Sequence, residues 1–174
     1  NFQYADLTDQ DFTNTTISGM DFLHAKLLNA NFEGVDLGSK KANLTLENTA
    51  YLLRGHTSSP DKIAQIVMDL IDVAGPSNLI RLSEVHIRGN DIFVDYDLIN
   101  YFSRANLENA NFKNANIQYG VFSFANLTNA NFAGADLTKS NLRDANLEGA
   151  NLTGAILDGA TLSCKNHPVC VPET

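Results

Sequence analysis

The residues best suited to chemistry stand near the C-terminal end of this 174-residue sequence. Cys164, His167 and Cys170 follow one another at intervals of three, and the two cysteines are the only ones in the chain. They offer at most three ligands, whereas a structural zinc site needs four. Two cysteines in so short a loop are more often joined, so we expect a Cys164–Cys170 disulfide and keep a metal site as the alternative.

The rest of the sequence contains no catalytic signature. The other histidines, His24, His56 and His86, lie at no metal-binding spacing from a second histidine or cysteine. There is no phosphate-binding loop, dinucleotide-binding glycine motif, nucleophile elbow or paired-carboxylate pattern. We therefore expect a protein that is not an enzyme, with no catalytic residue, no metal and no cofactor.

Charge and hydropathy exclude two classes of partner. The formal net charge is -8, which argues against direct binding to nucleic acid. Residues 1–37 hold six acidic residues against Lys26 alone, so the acidity is concentrated towards the N-terminal end. No apolar run approaches the ~20 residues that a membrane span requires. The sequence therefore predicts no direct nucleic-acid contact and no membrane span.

A five-residue repeat determines the architecture. In two stretches a large apolar residue recurs every five positions. In the second stretch a small residue, usually alanine, stands two positions before nearly every one of them, whereas in the first stretch this position is looser and includes Gln10, Thr15, Met20 and Val35. A period of five fits neither an α-helix nor a strand, so the chain must turn a corner every five residues with both of these positions inside. The large residues are Phe2, Leu7, Phe12, Ile17, Phe22, Leu27, Phe32 and Leu37, then Phe102, Leu107, Phe112, Ile117, Phe122, Leu127, Phe132, Leu137, Leu142, Leu147, Leu152, Leu157 and Leu162.

Read in fours, these residues show a longer period of 20, because phenylalanine takes the first and third places of each group until the last full one. A coil with four sides would therefore carry a column of phenylalanines on each of two opposite sides. Each fully buried bulky residue contributes about 1.5–3 kcal/mol, so these columns would supply much of the stability. The predicted core columns are Phe2, Phe22, Phe102 and Phe122 on one side, and Phe12, Phe32, Phe112 and Phe132 on the opposite side.

Units such as Ala105-Asn106-Leu107-Glu108-Asn109 and Ala150-Asn151-Leu152-Thr153-Gly154 resemble the A(D/N)LXX motif of the pentapeptide-repeat family. The resemblance implies an all-β fold, a right-handed quadrilateral β-helix. It covers residues 1–37, the N-terminal coils, and residues 102–163, which we expect to continue the same core. Residues 164–174 follow the last core residue, so the disulfide loop would cap an open coil end.

Residues 38–101 interrupt the repeat and form an insertion. Ala42-Asn43-Leu44 looks like one further repeat shifted by two positions, which leaves the boundary open. Ser59-Pro60-Asp61 precedes an amphipathic stripe that ends at Gly75-Pro76, which predicts a helix over about 60–74.

Alternating apolar residues on both sides of Gly89-Asn90 predict a hairpin over about 83–97, with Ile87 opposite Ile92 and Val85 opposite Val94. Together with the helix, the hairpin would make the insertion either a recognition element or a satellite packed on the coil. The sequence leaves both roles open.

Asparagine recurs on the outside of the coil in register with the repeat. Its amides could stack into ladders along the coil, or the residues could serve only as a solvated surface whose backbone suits tight turns. Both readings remain open at this stage. The residues concerned are Asn106, Asn111, Asn116, Asn126, Asn131, Asn141, Asn146 and Asn151.

These features predict a non-catalytic scaffold that binds an unidentified protein partner. The resemblance implies one alternative, a DNA mimic that binds a type II topoisomerase such as gyrase. A small ligand held between insertion and coil is a weaker option. Disulfides persist in oxidising compartments, and the family is abundant as exported proteins of oxygenic photosynthetic bacteria. We therefore expect export to a thylakoid lumen or periplasm, with the cytoplasm as the alternative.

Overall fold

The computed structural model describes residues 2–15, 17, 19–38, 40–46, 80–88 and 91–171. They fall into two compact units, one made of Asn1–Ser39 with Ile99–Thr174 and the other of Lys40–Leu98. The first unit is a coil with parallel bridges, and the second contains a small antiparallel sheet. Within the described ranges no helix occurs, and hence none long and apolar enough to cross a membrane.

Parallel bridges between residues one turn apart hold the coil together. Asp6 bridges Lys26, and Asn106 bridges Asn126, so one turn takes 20 residues. Hydrogen bonds run in both directions at each bridge. The amide of Leu107 donates to the carbonyl oxygen of Asn126 at 2.8 Å, and the amide of Asn126 donates to that of Ala105 at 3.0 Å. Bridges recur every five residues, which gives each turn four faces.

We number the faces in chain order. The first face contains residues 2–5, 21–25, 101–105, 121–125 and 141–145. The second face starts at residues 6, 26, 106, 126 and 146, the third at residues 11, 31, 111, 131 and 151, and the fourth at residues 36, 116, 136 and 156, with residue 17 one turn before residue 37. In every face the large apolar residue after the bridge residue lies in the core or packs against it.

The phenylalanines of the first and third faces fill the interior as two columns. Phe102 and Phe112 are completely buried, and their rings meet edge to face with 83° between the planes. Stacked rings within a column and edge-to-face rings between columns are both favourable for aromatic groups, so the columns interlock. The stacked centroids are 5.4 Å apart for Phe2–Phe22, 4.8 Å for Phe22–Phe102, 4.9 Å for Phe102–Phe122, 4.6 Å for Phe12–Phe32, 4.9 Å for Phe32–Phe112 and 4.9 Å for Phe112–Phe132.

The coil continues in register across the point where the second unit leaves it. Tyr101 bridges Asp21, so the first face resumes with no face skipped. Just before it, the Asn100 side chain is 1% exposed. Its Oδ1 accepts a hydrogen bond from the amide of Met20 at 3.0 Å, and its Nδ2 donates to the carbonyl oxygen of Leu37 at 2.7 Å. One buried amide of the returning chain therefore satisfies two backbone groups of the N-terminal coils.

The second unit is a three-stranded sheet of β1 (Lys40–Leu46), β2 (Ile80–Arg88) and β3 (Asp91–Leu98) in the order β1-β3-β2. Both pairings are antiparallel. Strands β2 and β3 pair in the register expected for the hairpin, with Ile87 opposite Ile92 and Val85 opposite Val94. A register shift lies between Leu82 and Glu84.

Strand β1 corrects one interpretation of the sequence. Ala42-Asn43-Leu44 is not a repeat of the coil, because it lies in β1, where Leu44 pairs with Val94. A single motif-like triplet without neighbours at five-residue spacing cannot form a face, so the pairing with β3 prevails. The helix predicted over about 60–74 and the Gly89-Asn90 turn lie outside the described residues.

Candidate interaction surface and C-terminal cap

The third face carries an unbroken ladder of side-chain amides. Its bridge residues are Asp11, Asn31, Asn111, Asn131 and Asn151, and each asparagine Nδ2 donates to the Oδ1 one turn before it, at 3.1–3.3 Å. Each Oδ1 also accepts the backbone amide two residues on, as Asn111 does from Lys113 at 3.2 Å. On the third face, stacking and turn formation are thus done by the same residues, Asn111, Asn131 and Asn151.

The first face departs from this pattern at the same repeat position. Its bridge residues are Asp21, Tyr101, Val121 and Asn141, so aromatic and aliphatic side chains stand where the third face has amides. Leu23, on the same face, is also apolar and half-buried, as are Tyr101 and Val121. The outside of the first face therefore presents an apolar strip in coils whose other faces are mainly polar.

The corner at the end of the first face is also unusual. Tyr4, His24, Arg104 and Phe124 have φ between 57° and 60°, a left-handed conformation that costs a residue with a side chain roughly 1–2 kcal/mol. The corners of the second and third faces use Asn, Asp or Gly at the described positions, which tolerate this conformation. Tyr4 stacks on His24 with centroids 5.0 Å apart, and the Arg104 guanidinium carbon lies 5.0 Å from the Phe124 centroid.

A second cation lies over a ring at the corner that precedes the first face. Lys139 Nζ is 5.4 Å from the Tyr119 centroid and 3.3 Å from its hydroxyl oxygen. Neither Lys139 nor Arg104 forms an ion pair with a carboxylate among the described residues. The other described basic residues of the coil do, with nitrogen–oxygen distances of 3.0 Å for Lys26–Asp6, 3.0 Å for Lys113–Glu33, 3.7 Å for Arg143–Asp144 and 2.7 Å for Lys165–Asp144.

Formal charge also distinguishes the first face. Among the described residues it carries Arg104 and Arg143 against Asp21 and Asp144, so its charges cancel. The second face has four acidic residues against two lysines, Lys26 and Lys165, and the third and fourth faces also have more acidic than basic residues. An acidic partner would therefore be repelled least at the first face.

Asp6 on the second face and Glu33 on the third have lowered pKa values. Hydrogen bonds from the Thr8 hydroxyl and from Lys26 lower the pKa of Asp6 from 3.8 to about 2. A hydrogen bond from Lys113 and one from Asn111 lower the pKa of Glu33. These carboxylates are already paired within the coil, which reduces their availability to a partner.

The C-terminal cap contains the disulfide. Cys164 and Cys170 are joined with Sγ atoms 2.05 Å apart, and the amide of Val171 donates to the carbonyl oxygen of Leu162 at 2.7 Å. Lys165 still bridges Asn146 and Thr161 bridges Asn141, so the chain from residue 161 covers the first and second faces of the last full coil. The core residues of the other two faces there, Leu152 and Leu157, remain partly exposed.

His167 lies between the cysteines without completing a metal site. Its Nδ1 accepts the backbone amide of Val169 at 3.2 Å, and both cysteines are in the disulfide. In the described part of the chain no group of three or more histidine, cysteine or acidic residues is placed to hold a metal ion.

The structure brings together the predicted core phenylalanines and the predicted cysteine pair, but it also contains a cluster that was not predicted from the sequence. The eight core phenylalanines lie in the two columns and the two cysteines lie together. The apolar strip and its two flanking cations were not predicted. Their signal in the sequence is the loss of Asn or Asp at the position before the large residue, at Tyr101 and Val121.

Comparison with solved structures returns pentapeptide repeat proteins. A protein from the Arabidopsis thaliana thylakoid lumen is 34% identical over 34% of this chain and 45% of its own, with a TM-score of 0.24. HetL, involved in heterocyst differentiation regulation in the cyanobacterium Nostoc sp. strain PCC 7120, is 19% identical over 93% of this chain and 60% of its own, with a TM-score of 0.26. This chain thus spans less than two thirds of either protein.

QnrB1, a plasmid-mediated fluoroquinolone resistance protein, is 16% identical over 89% of this chain and 69% of its own, with a TM-score of 0.23. Comparison with curated protein sequences returned no match. The family model for pentapeptide repeats matches residues 1–38, 101–132 and 125–163, which together make up more than half of the chain. The chain therefore belongs to the family of pentapeptide repeat proteins, which fold as right-handed β-helices.

Proposed function

We propose that this protein is a non-catalytic scaffold that binds another protein through its first face. The observation that carries the proposal is the apolar strip of Leu23, Tyr101 and Val121, bordered by rings and cations at both corners. Exposed aromatic and arginine side chains are enriched at protein interfaces. Holding bulky residues at positive φ costs stability, and such strain concentrates at functional sites.

The absence of catalysis is part of the proposal. Pentapeptide repeat proteins are generally non-enzymatic scaffolds. On the first face, the buried Ser103 hydroxyl has no hydrogen-bond partner among the described residues, so it is not joined to the neighbouring His24 imidazole. The side chains of the first face offer stacking, apolar contact and charge, which suit recognition.

Site-specific photo-cross-linking in the native organism tests this function. We expect Phe124→p-benzoylphenylalanine, on the first face, to give an adduct with a discrete protein on irradiation. Thr153→p-benzoylphenylalanine is the control, because Thr153 is exposed on the opposite face. Equal adducts at both positions, or none at Phe124, would overturn the proposal.

The alternative is a DNA mimic that binds gyrase. A mimic needs a continuous acidic surface, but Asp6, Glu33 and Asp144 each form an ion pair, and the first face has no net charge. We expect the purified protein to leave gyrase supercoiling unchanged at micromolar concentration. Strong inhibition in this assay would reverse the ranking of the two functions.

We further propose that the native protein contains the Cys164–Cys170 bond and functions in an oxidising compartment, a thylakoid lumen or periplasm. The two cysteines are joined in the structure, which supports the bond. A reducing cytoplasm would keep such thiols free, so the bond favours an oxidising compartment. Intact mass of the protein from its native source, alkylated without prior reduction, is expected to show no added alkyl group. Two added groups would rule out the bond and favour the cytoplasm.

A further inference from the structure

We infer that the first face binds an acidic segment of a partner protein, one whose carboxylates flank apolar side chains. The inference rests on the proposed function and defines the chemistry of the partner. Three features of the coil support it.

The first feature is a pair of cations, Arg104 and Lys139, that form no ion pair with any carboxylate among the described residues. Arg104 and Lys139 are exposed, and each lies over a ring, that of Phe124 or of Tyr119. The ring occupies one side of each cation and leaves other N–H groups directed to solvent. A carboxylate can accept hydrogen bonds from such groups, and these bonds are stronger than those between neutral groups.

The second feature is where these cations lie. The Lys139 corner precedes the first face and the Arg104 corner ends it, so the apolar strip lies between them. A bound segment that fills the strip would bring its flanking residues to both corners. Acidic residues of the partner at the two corners would form ion pairs with Lys139 and Arg104, which pair with no carboxylate among the described residues.

The third feature is the charge of the other faces. Each has more acidic than basic residues among those described, so an acidic segment is disfavoured there. Repulsion from wrong surfaces is an effective source of specificity. The acidic residues of the other faces do not repel a basic segment, so Arg104 and Lys139 must disfavour a basic segment at the first face.

Selection from a random 12-residue peptide library displayed on phage tests the inference with the full chain. We expect peptides selected on the wild type to be enriched in Asp and Glu around apolar residues. The enrichment should disappear on the double variant Arg104→Gln, Lys139→Gln. It should persist on Lys113→Gln, a matched control on the third face whose lysine already pairs with Glu33.

Affinity of one selected acidic peptide gives a second readout. An exposed ion pair contributes about 0.2–1 kcal/mol, so the double variant should bind roughly two- to thirtyfold more weakly and lose part of its salt dependence. Circular dichroism melts should match the wild type, since both side chains are exposed.

Several results would overturn the inference. They are a selected pool without acidic enrichment, equal enrichment on the double variant, and an equal loss with Lys113→Gln. A concentration-dependent dimer that the double variant abolishes would assign the face to a second copy of this chain instead. Cross-linking at Phe124 together with any of these results would leave the proposed function standing and reject only the acidic partner.

Discussion

The first and third faces of the coil share one core and differ only outside. Behind each lies a column of stacked phenylalanines with centroids at most 5.4 Å apart. Outside, the third face has an amide ladder with Asn and Gly at its corners, whereas the first has aromatic and aliphatic groups and strained corners. The difference indicates that the inward positions of the repeat determine the fold. The outward positions of one face can therefore vary and serve recognition.

Truncation of the core should affect both faces alike. Phe102→Ala, behind the first face, and Phe112→Ala, behind the third, should each lower the free energy of unfolding by about 3–5 kcal/mol, because both rings are fully buried. Urea unfolding of the two variants measures this. A difference of more than about 2 kcal/mol would show that the outer surface, rather than the shared core, dominates local stability.

Breaking the ladder should weaken the third face. Asn111 donates to Asn31 and Glu33, and it accepts hydrogen bonds from Lys113 and Asn131. Asn111→Ala should therefore cost about 1–3 kcal/mol, since several modest bonds are lost together.

The control is Ile156→Ala, at the same repeat position on the fourth face but half-exposed and outside any ladder. It should cost less than about 1 kcal/mol in the same urea titration. Equal losses in both variants would mean that the amide ladder adds nothing to stability.

Exchanging corner residues should give effects of opposite sign. His24 and Asn29 have φ of 57° and 56°, and asparagine tolerates this conformation better than histidine. His24→Asn should stabilise by up to about 1 kcal/mol, reduced by the lost stack with Tyr4. Asn29→His should destabilise by at least as much, because Asn29 also donates to Asp9 at 2.7 Å. Melting temperatures compare the pair, and a shift of the same sign in both would refute strain as the cause.

Acid should weaken the second and third faces by a small amount. The pKa of Asp6 falls to about 2 in the folded coil, and those of Asp11 and Glu33 are also lowered. A lowered carboxyl pKa gives a contribution that is complete above the unfolded pKa of about 3.8 for aspartate and is lost as the pH falls towards 2.

The melting temperature should therefore fall between pH 4 and pH 2. The gap between wild type and Asp6→Asn should close over the same interval, because the variant has no carboxylate to protonate at this position. A gap that stays constant down to pH 2 would contradict the assigned pKa.

The parts of the structure that were predictable are those that repeat. The columns from Phe2 to Phe132 follow from a period of five within a period of 20, because every inward position obeys it. The apolar strip was not predicted, because its residues depart from the repeat. Tyr101 lies beside residues of the first face 80 positions earlier, and only the register across the junction brings them together. Strand β1 was not predicted, because Ala42-Asn43-Leu44 resembles one unit of the repeat and its partner strand β3 is about 50 residues away in the sequence.

The junction at Asn100 also bears on the order of folding. Most bridges of the coil join residues about 20 apart, but the four bridges between residues 21–36 and 101–116, among them the one between Asp21 and Tyr101, join residues 80 apart. Two doublings of the loop add about 1 kcal/mol of closure entropy at this step alone. Nucleation should therefore begin among residues 101–165, where every contact is local. The N-terminal turns should dock last, so the coil should grow from its C-terminal part towards the N-terminus.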